Sequence, residues 1–520
     1  MLGGAEVPRP PVTGPAVKDE YKEGFEGYPH NFNSVVPDRI LKQHPDWLGL
    51  ARGEQFGKAN VGKRVPGPAP CFANDELIQF VADKMLAWAA LTPGVPQRFN
   101  LLPMDAAVYC ECPQCLALNQ PFVAPDIPYC AYPTYYASDA YYHFVCEVAK
   151  RVATRAPNVT VGALAYANVL APPRKIETFP ANVVVQVCQY WATNLPVTAP
   201  ANAQMKAYLE DWHRKCGRLE NYEYVLLNEN RQTWRLPVPM VSGIVDRAKL
   251  LKQSGALGGG TQATPETLPY SPWNFYAYAR SCWNPDSGAD QILKEFFDAC
   301  YGEAGAPMLG YYRAAEDWHA QHEFNLHAGG YGYGLAPGAF PYPVLQAMAG
   351  QLAAADKVAN CWITRKRLAT ARQGFAALLQ ARGLTPEELA ASDRLPVAGL
   401  GRPPVVVTPK TAQILPGPRG GDCMLYGWLR LGHNVRFERA GDYTVTVSAT
   451  GYEREKRGNQ KRELVIYVDA ARFGPVDVPD GAKDYAVTVK VPAGVSEVSI
   501  QVPQNVGPVA VREFSIKANP

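Results

Sequence analysis

The sequence lacks three features that would each narrow its class. It has no marked excess of charge, because 51 Lys and Arg balance 48 Asp and Glu, so neither nucleic acid nor an anionic membrane is an expected partner. No apolar run approaches the roughly 20 residues of a membrane span. The first residues, MLGGAEVPRPP, lack the basic and apolar regions of a secretory signal. We expect no membrane span, and a secreted or periplasmic location if a signal has been removed, or otherwise a cytoplasmic one.

Cysteine is also scarce, since 12 in 520 residues are too few for a disulfide scaffold. The exception is a local cluster of Cys110, Cys112 and Cys115, which Cys71 or Cys130 could complete to a four-coordinate zinc site. Zinc motifs usually come as two Cys-x-x-Cys pairs, and this cluster does not. Zinc and a local disulfide therefore stay alternatives to reduced thiols packed around a tight loop. We predict no cofactor and assign no metal ligand.

What the sequence does have is an alternation of apolar strands and amphipathic helices. Asn74 and Ser138 are predicted to cap two helices. Five strands are predicted, at Phe99–Met104, Val159–Leu164, Val183–Val187 and Tyr222–Leu227, and from Leu257 into the glycine run. Such alternation is typical of a mainly parallel sheet or a (β/α)8-type barrel. A closed barrel needs eight strands, so we expect either an unusual barrel or one that is incomplete at its N-terminus.

The character of the chain changes twice after this region. We predict an irregular segment at 1–27, a (β/α)-barrel hydrolase-like domain at 28–271, a helical region at 272–383, a linker at 384–404 and an antiparallel β-sandwich at 405–520. In the last segment Tyr443, Val445 and Val447 alternate as in a half-buried strand. This α/β fold class with an appended sandwich suggests carbohydrate binding. The aromatic candidates, which could equally be core residues, are Tyr426, Trp428, Tyr452 and Phe473.

Two carboxylates are our catalytic candidates. Asp105 follows a short apolar strand, which is where barrel enzymes keep their chemistry, and capping of a neighbouring loop is the alternative. Glu223 stands between two tyrosines in a predicted strand, and an ion pair is its alternative. Glu229 and Glu266 lie on predicted loops and are weaker candidates.

Aromatic and amide side chains near the same strand ends are candidates for substrate binding, because sugars stack on aromatic faces and their hydroxyl groups bond to amides. Individually, each is more simply explained by packing, but their shared position predicts a polar, aromatic-lined pocket. The substrate-binding candidates are His30, Asn31, Tyr166, Tyr190, Trp191 and Gln262.

Several segments together resemble one known family. HNFNSVVPDRILKQHPDWLGL from His30, CFANDEL from Cys71, LLPMDAAVYCECPQC from Leu101, the stretch Ser138–Pro173 and YARSCWNPDSGADQILKEFFDACYG from Tyr278 occur in this order. Over residues 28–320 the sequence resembles the bacterial domain-of-unknown-function family 4838, which includes glycoside hydrolase family 163. The Trp-Asn-Pro-Asp stretch is more distantly similar to α-glucuronidases.

The resemblance implies a (β/α)-barrel glycoside hydrolase in glycan or polysaccharide degradation, with relatives that act as endo-β-N-acetylglucosaminidases on N-glycans. Such barrels resemble those in which the acetamido group of the substrate is the nucleophile. A substrate-assisted site often has an adjacent Asp-Glu pair, whereas Asp105 is followed by Ala106. A carbohydrate or a glycoprotein glycan is the expected partner. The alternative is a non-catalytic glycan-binding protein with a degenerate barrel.

Overall fold

The computed structural model describes residues 21, 25, 30–51, 60–65, 69–104, 109–119, 136–226, 231–321, 335–414, 423–425, 429–451, 462–478, 481, 483–503 and 508–520. The chain divides into two compact units. The first comprises Met1–Tyr190, Asn202–Glu223 and Leu250–Thr261, and the second comprises Trp191–Ala201, Tyr224–Lys249 and Gln262–Pro520. The predicted five-segment division of the chain stays a prediction, and its segment 1–27 lies almost wholly outside the described residues.

The N-terminal half alternates between helices and strands as its periodicity predicts. In chain order its elements are α1 (Phe32–Val35), α2 (Asp38–Leu41), β1 (Gly49–Ala51), β2 (Lys63–Val65), α3 (Asp75–Ala89), β3 (Gln97–Leu101), α4 (Pro113–Asn119), α5 (Ser138–Ala153), β4 (Val159–Ala165), β5 (Val183–Cys188), α6 (Ala203–Lys215), β6 (Leu219–Leu226), α7 (Val241–Gln253) and β7 (Gly259–Ala263).

Five of these strands form one sheet in the order β3-β4-β5-β6-β7. The pairings β3–β4, β4–β5 and β5–β6 are parallel, with Asn100 opposite Gly162, Leu164 opposite Gln186 and Gln186 opposite Glu220. Strand order follows chain order, as expected where each crossover returns beside the strand before it. The five predicted strands are thus the strands of this sheet, within the part of the chain that the structure describes.

The sheet is strongly curled. Arg98 on β3 forms an ion pair with Glu220 on β6, with Nη1 2.7 Å from Oε1, although two strands lie between them. Neighbouring strands are about 4.8 Å apart, so a flat sheet would hold β3 and β6 roughly 14 Å apart. The ion pair therefore lies across the concave face of the sheet. On the convex face Tyr141 of α5 donates a hydrogen bond to the carbonyl of Leu101 (2.5 Å).

Two local predictions in this region met different outcomes. Asn74 caps α3 as predicted, because its side-chain oxygen accepts a hydrogen bond from the Leu77 amide (2.9 Å). The prediction that Ser138 caps α5 is wrong. Ser138 is the first residue of the helix, Ala137 is at the N-cap position, and the Ser138 hydroxyl donates to the carbonyl of Ala171 (2.5 Å). The Ser138 hydroxyl therefore makes a tertiary hydrogen bond instead of the helix-capping bond that the sequence favours.

The remaining chain is first helical and then β. Its elements are α8 (Pro272–Trp283), α9 (Ala289–Tyr301), α10 (Gly305–His319), α11 (Tyr342–Val358), α12 (Trp362–Ala381), α13 (Pro386–Ala390), β8 (Val397–Ala398), β9 (Val405–Val407), β10 (Cys423–Leu425), β11 (Arg430–Phe437), β12 (Gly441–Gly451), β13 (Glu463–Val468), β14 (Ala471–Asp477), β15 (Lys483–Val491), β16 (Gly494–Gln501) and β17 (Val509–Ala518). Among the described helices none combines the length and apolar character needed to cross a bilayer.

The C-terminal strands form two five-stranded sheets that share one core. One has the order β10-β17-β12-β15 with β9 also paired to β17, and the other has the order β14-β13-β16-β11-β8. Their pairings are antiparallel except for β8 with β11. The alternating residues Val445, Val447 and Ile500 are fully buried in the shared core, as expected for strands with one face inward. The chain is therefore a mixed α/β protein with a curled parallel sheet and a C-terminal antiparallel region.

Candidate functional site

Polar side chains line the concave face at the amino-terminal half of the parallel strands. Arg98 bonds to Glu220 and also donates from Nε to Asn100 Oδ1 (2.9 Å). Gly162, opposite Asn100, makes room for this network, because a Cβ atom there would lie 2.0 Å from Asn100 Oδ1. Side chains alternate along a strand, so Leu164 and Gln186 continue the same face toward the carboxyl ends.

Three of the predicted substrate-binding residues meet at those carboxyl ends. Tyr166 follows β4 directly and Tyr190 follows β5 by two residues, and their ring centroids are 6.2 Å apart. The His30 ring lies 5.3 Å from that of Tyr166. We call these three residues the aromatic group. Its position matches the edge where parallel α/β sheets present their loops.

His30 is tied to the end of β3. Its Nδ1 lies 2.7 Å from the carbonyl oxygen of Pro103, and because a carbonyl can only accept, Nδ1 must carry the proton. Asp105 stands two residues beyond Pro103 and lies outside the described residues. The histidine is therefore fixed to the backbone that leads into Asp105.

Asn31 fixes the end of β3 beside His30. It is 1% exposed, its Nδ2 donates to the carbonyls of Asn100 (2.9 Å) and Phe25 (3.1 Å), and its Oδ1 accepts from the Leu102 amide (2.8 Å). Its amide thus binds the main chain of the β3 end and positions the neighbouring His30. Direct contact of Asn31 with a substrate stays a prediction.

Glu223 is a buried residue of β6. Its backbone carbonyl accepts a hydrogen bond from Thr261 Oγ1 (3.1 Å). Because side chains alternate along a strand, Glu223 lies on the face opposite Glu220 and Tyr222, which belong to the concave face. Its role as an acid stays a prediction, and Glu229 lies outside the described residues.

The other candidates belong to the second unit. Trp191 is buried at the start of the segment Trp191–Ala201, in which Asn194 donates to the His319 carbonyl (2.8 Å). Gln262 is exposed on β7 and Glu266 is exposed in the 3-10 turn that follows. Of the sandwich aromatics, Phe473 packs against the core, whereas Tyr426, Trp428 and Tyr452 lie outside the described residues.

Sequence reasoning missed the polar network of the concave face. Arg98 and Asn100 are two residues apart in β3, a spacing that places both on one face of a strand. A search for polar residues at alternate positions of buried strands would have found them. Their pairing with Glu220, 122 positions away in the chain, has no local signal.

The cysteine cluster gains its fourth member in the structure. The sulfur atoms of Cys71, Cys110, Cys112 and Cys115 all lie within 4.8 Å of one another, and all four residues are buried. Cys71 Sγ is 3.6 Å from Cys112 Sγ and 3.8 Å from Cys115 Sγ. A disulfide bond would bring two sulfurs to about 2.05 Å, so no disulfide joins Cys71 to Cys112 or Cys115.

A family model described as Domain of unknown function (DUF4838) matches residues 12–314. The chain belongs to this family. The match confirms the resemblance seen in the motifs from His30 to Gly302, and the aromatic group and the cysteine cluster both lie inside the matched DUF4838 region. A comparison with curated proteins finds no match.

Solved structures with some likeness come from carbohydrate-active proteins. They include a ruminal GH26 endo-beta-1,4-mannanase (13% identity, 24% of this chain, 27% of that chain, TM-score 0.19). They also include the C-terminal CBM6 of the laminarinase LamC from Zobellia galactanivorans (14%, 22% of this chain, 100% of that chain, 0.18) and a family 35 carbohydrate binding module from Clostridium thermocellum (15%, 22%, 100%, 0.18). The chain spans 27% of the mannanase. At these TM-scores the likeness carries no conclusion.

Proposed function

We propose that this protein is a bacterial glycoside hydrolase that cleaves a glycosidic bond in a complex glycan, in an endo-β-N-acetylglucosaminidase-type reaction. In this proposal it resembles glycoside hydrolase family 163 and has a (β/α)8-type barrel. The observation that carries the proposal is the aromatic group. His30, Tyr166 and Tyr190 lie together at the carboxyl ends of parallel strands, and His30 is bonded to the main chain just before Asp105.

The chemistry of glycoside cleavage suits these side chains. The leaving oxygen needs a proton donor, and the oxocarbenium-like centre needs a carboxylate or the acetamido group of the substrate. Tyrosine rings offer apolar faces to the C–H groups of a sugar, and their hydroxyls and a histidine nitrogen bond to its polar edge. In this scheme Asp105 orients or polarises the reacting group. Glu223 remains the candidate acid, although its face of the strand is the weaker position for that role.

The test is product release from a panel of N-glycoproteins and β-linked oligosaccharides, read by mass spectrometry. We expect wild-type protein to cleave at least one member and Asp105→Asn to cleave it at least about a hundredfold more slowly, a barrier change of about 2.7 kcal/mol. Glu210→Gln, an exposed change on α6 at a residue that pairs with Lys206, is the matched control and should retain activity.

Tyr166→Ala separates binding from chemistry. If Tyr166 stacks on the sugar, the variant should raise KM more than it lowers kcat. Equal rates for wild type and Asp105→Asn would contradict the assignment of Asp105. Absence of cleavage by wild-type protein on the whole panel would contradict the hydrolase proposal.

A second candidate function is glycan binding without catalysis. It is favoured by the parallel sheet itself, which has five strands in the described part of the chain, whereas a closed barrel enzyme has eight. Retained glycan binding without cleavage, with loss of binding in Tyr166→Ala, is the result that would support this candidate.

A further inference from the structure

The four cysteines come from two separate places in the first unit. Cys71 lies just before α3, Cys110 and Cys112 lie between β3 and α4, and Cys115 is in α4. Main-chain hydrogen bonds join both places to the stretch 47–50, from the Cys71 amide to the Trp47 carbonyl (2.8 Å) and from the Glu111 amide to the Leu50 carbonyl (2.9 Å). The position of the distant Cys71 thiol beside the other three needs a physical reason.

The spacing of the sulfur atoms matches a tetrahedron around one ion. A Zn–S bond of about 2.3 Å in tetrahedral geometry places neighbouring sulfurs roughly 3.8 Å apart. The observed separations of 3.6 Å and 3.8 Å from Cys71 Sγ fall at this value, and every pair lies within 4.8 Å. A polynuclear iron–sulfur cluster would hold its ligands farther apart, because several ions and sulfides would stand between them.

The surroundings suit thiolate sulfurs rather than thiols in an apolar core. The amides of Leu50 and Cys115 point at Cys110 Sγ (3.3 Å) and Cys112 Sγ (3.4 Å), as expected where main-chain N–H groups neutralise metal-bound sulfur. Arg64 lies beside the cluster. Its side chain forms a hydrogen bond with Cys71. Four thiolates around a divalent cation carry a net negative charge, which this guanidinium would offset.

We propose that Cys71, Cys110, Cys112 and Cys115 bind one structural Zn²⁺ ion. All four protein ligands are cysteine sulfurs, so no position is left for water or substrate, which is the pattern of a structural rather than a catalytic site. The ion ties the segment between β3 and α4, which follows Asp105, to the start of α3. The sequence alone favoured reduced thiols because zinc motifs usually come as two Cys-x-x-Cys pairs, and this cluster does not.

The test is elemental analysis of wild-type protein purified without chelator and without a metal-affinity column. We expect about one equivalent of zinc per chain. Cys112→Ala should reduce it below about a tenth of an equivalent. The matched control is Cys146→Ala, which removes a similarly buried cysteine of α5 and should leave zinc unchanged.

Loss of the metal should also change the unfolding temperature of the protein. Chelation of the wild type should lower the unfolding temperature, and added Zn²⁺ should restore it, whereas Cys112→Ala should not respond to either. Less than about a tenth of an equivalent in the wild type, or iron in place of zinc, would overturn the proposal. Because wild-type metal content decides the outcome, a Cys112→Ala chain that fails to fold does not affect it, and a lack of glycan cleavage does not bear on it.

Discussion

The curled parallel sheet contains one arginine–glutamate ion pair and the antiparallel region contains a glutamate paired with two arginines, and these two sets of charges differ in solvent access. On the concave face the side chains of Arg98 and Glu220 are 35% and 22% exposed. In the antiparallel region Glu497 is fully buried and forms ion pairs with Arg430 of the same region and with Arg382, which follows α12, and these arginines are 7% and 1% exposed. Arg98 and Glu220, which we call the open pair, lie on the concave face of the sheet, which continues toward the aromatic group. We call Glu497 with Arg382 and Arg430 the sealed pairs, and we assign them a structural role, because solvent and solutes cannot reach them.

The sealed pairs join elements within the second unit. Glu497 is on β16, Arg430 is on β11 and Arg382 follows α12, and the Arg382 carbonyl accepts a hydrogen bond from Asn434 (2.7 Å). Burial lowers the pKa of Arg430, and the nearby Glu497 charge acts in the opposite direction. A carboxylate between two guanidinium groups therefore makes a buried arginine tolerable.

Removal of the sealed carboxylate should have the largest effect. Glu497→Gln removes the carboxylate that forms ion pairs with two buried guanidinium groups, so we expect a loss of about 3–5 kcal/mol in the free energy of unfolding of the C-terminal region. Urea unfolding of the full chain measures it. The control is Glu438→Gln, which breaks the exposed pair with Arg402 and should leave the free energy of unfolding almost unchanged, because water screens the pair. Equal costs for both variants would show that burial does not distinguish these pairs.

Filling the concave face should have an intermediate effect. In Gly162→Ala the new methyl group would lie 2.0 Å from Asn100 Oδ1 and 2.8 Å from Arg98 Nε, so the network must shift. We expect a loss of about 1–3 kcal/mol, measured by urea unfolding. Gly350→Ala on α11 is the control, because a Cβ there meets nothing within 4 Å and should stabilise the helix by about 0.5–1 kcal/mol. A neutral Gly162→Ala would mean that this face is loosely packed.

Breaking the open pair should have the smallest effect. Glu220→Gln should cost about 1 kcal/mol or less, because both partners are partly hydrated. Salt should weaken the wild-type chain more than the variant, since screening acts on the ion pair, and urea unfolding at low and high ionic strength tests this. A loss as large as that of Glu497→Gln would contradict the contrast between the two regions.

Local signals predicted much of the parallel sheet. The five strands were expected from continuous apolar runs, and the Asn74 cap from its position before an amphipathic helix. Strand β3, the first of the five, ends at Leu101 rather than at the predicted Met104, because Pro103 has no amide hydrogen to continue the hydrogen bonds between strands. Alternation at Tyr443, Val445 and Val447 likewise predicted β12. These signals depend only on neighbours within one element.

The candidate site was predicted only in part. Carboxyl-end positions brought Tyr166 and Tyr190 into one group with His30, because all parallel strands end at the same edge. The roles of Asp105 and Glu223 stay predictions.

The sequence by itself determined where strands, helices and the alternating C-terminal region lie, because hydrophobic periodicity and capping act over a few residues. Only the tertiary structure decided that Cys71 joins the other three thiols, that Arg98 reaches Glu220, and that Asn31 binds the end of β3. These contacts join positions 39 to 122 residues apart by number, and they depend on how the sheet curls and how loops return to it. The curl accumulates from small twists between neighbouring strands and from the packing of side chains over all five strands. A short window of sequence therefore cannot predict it.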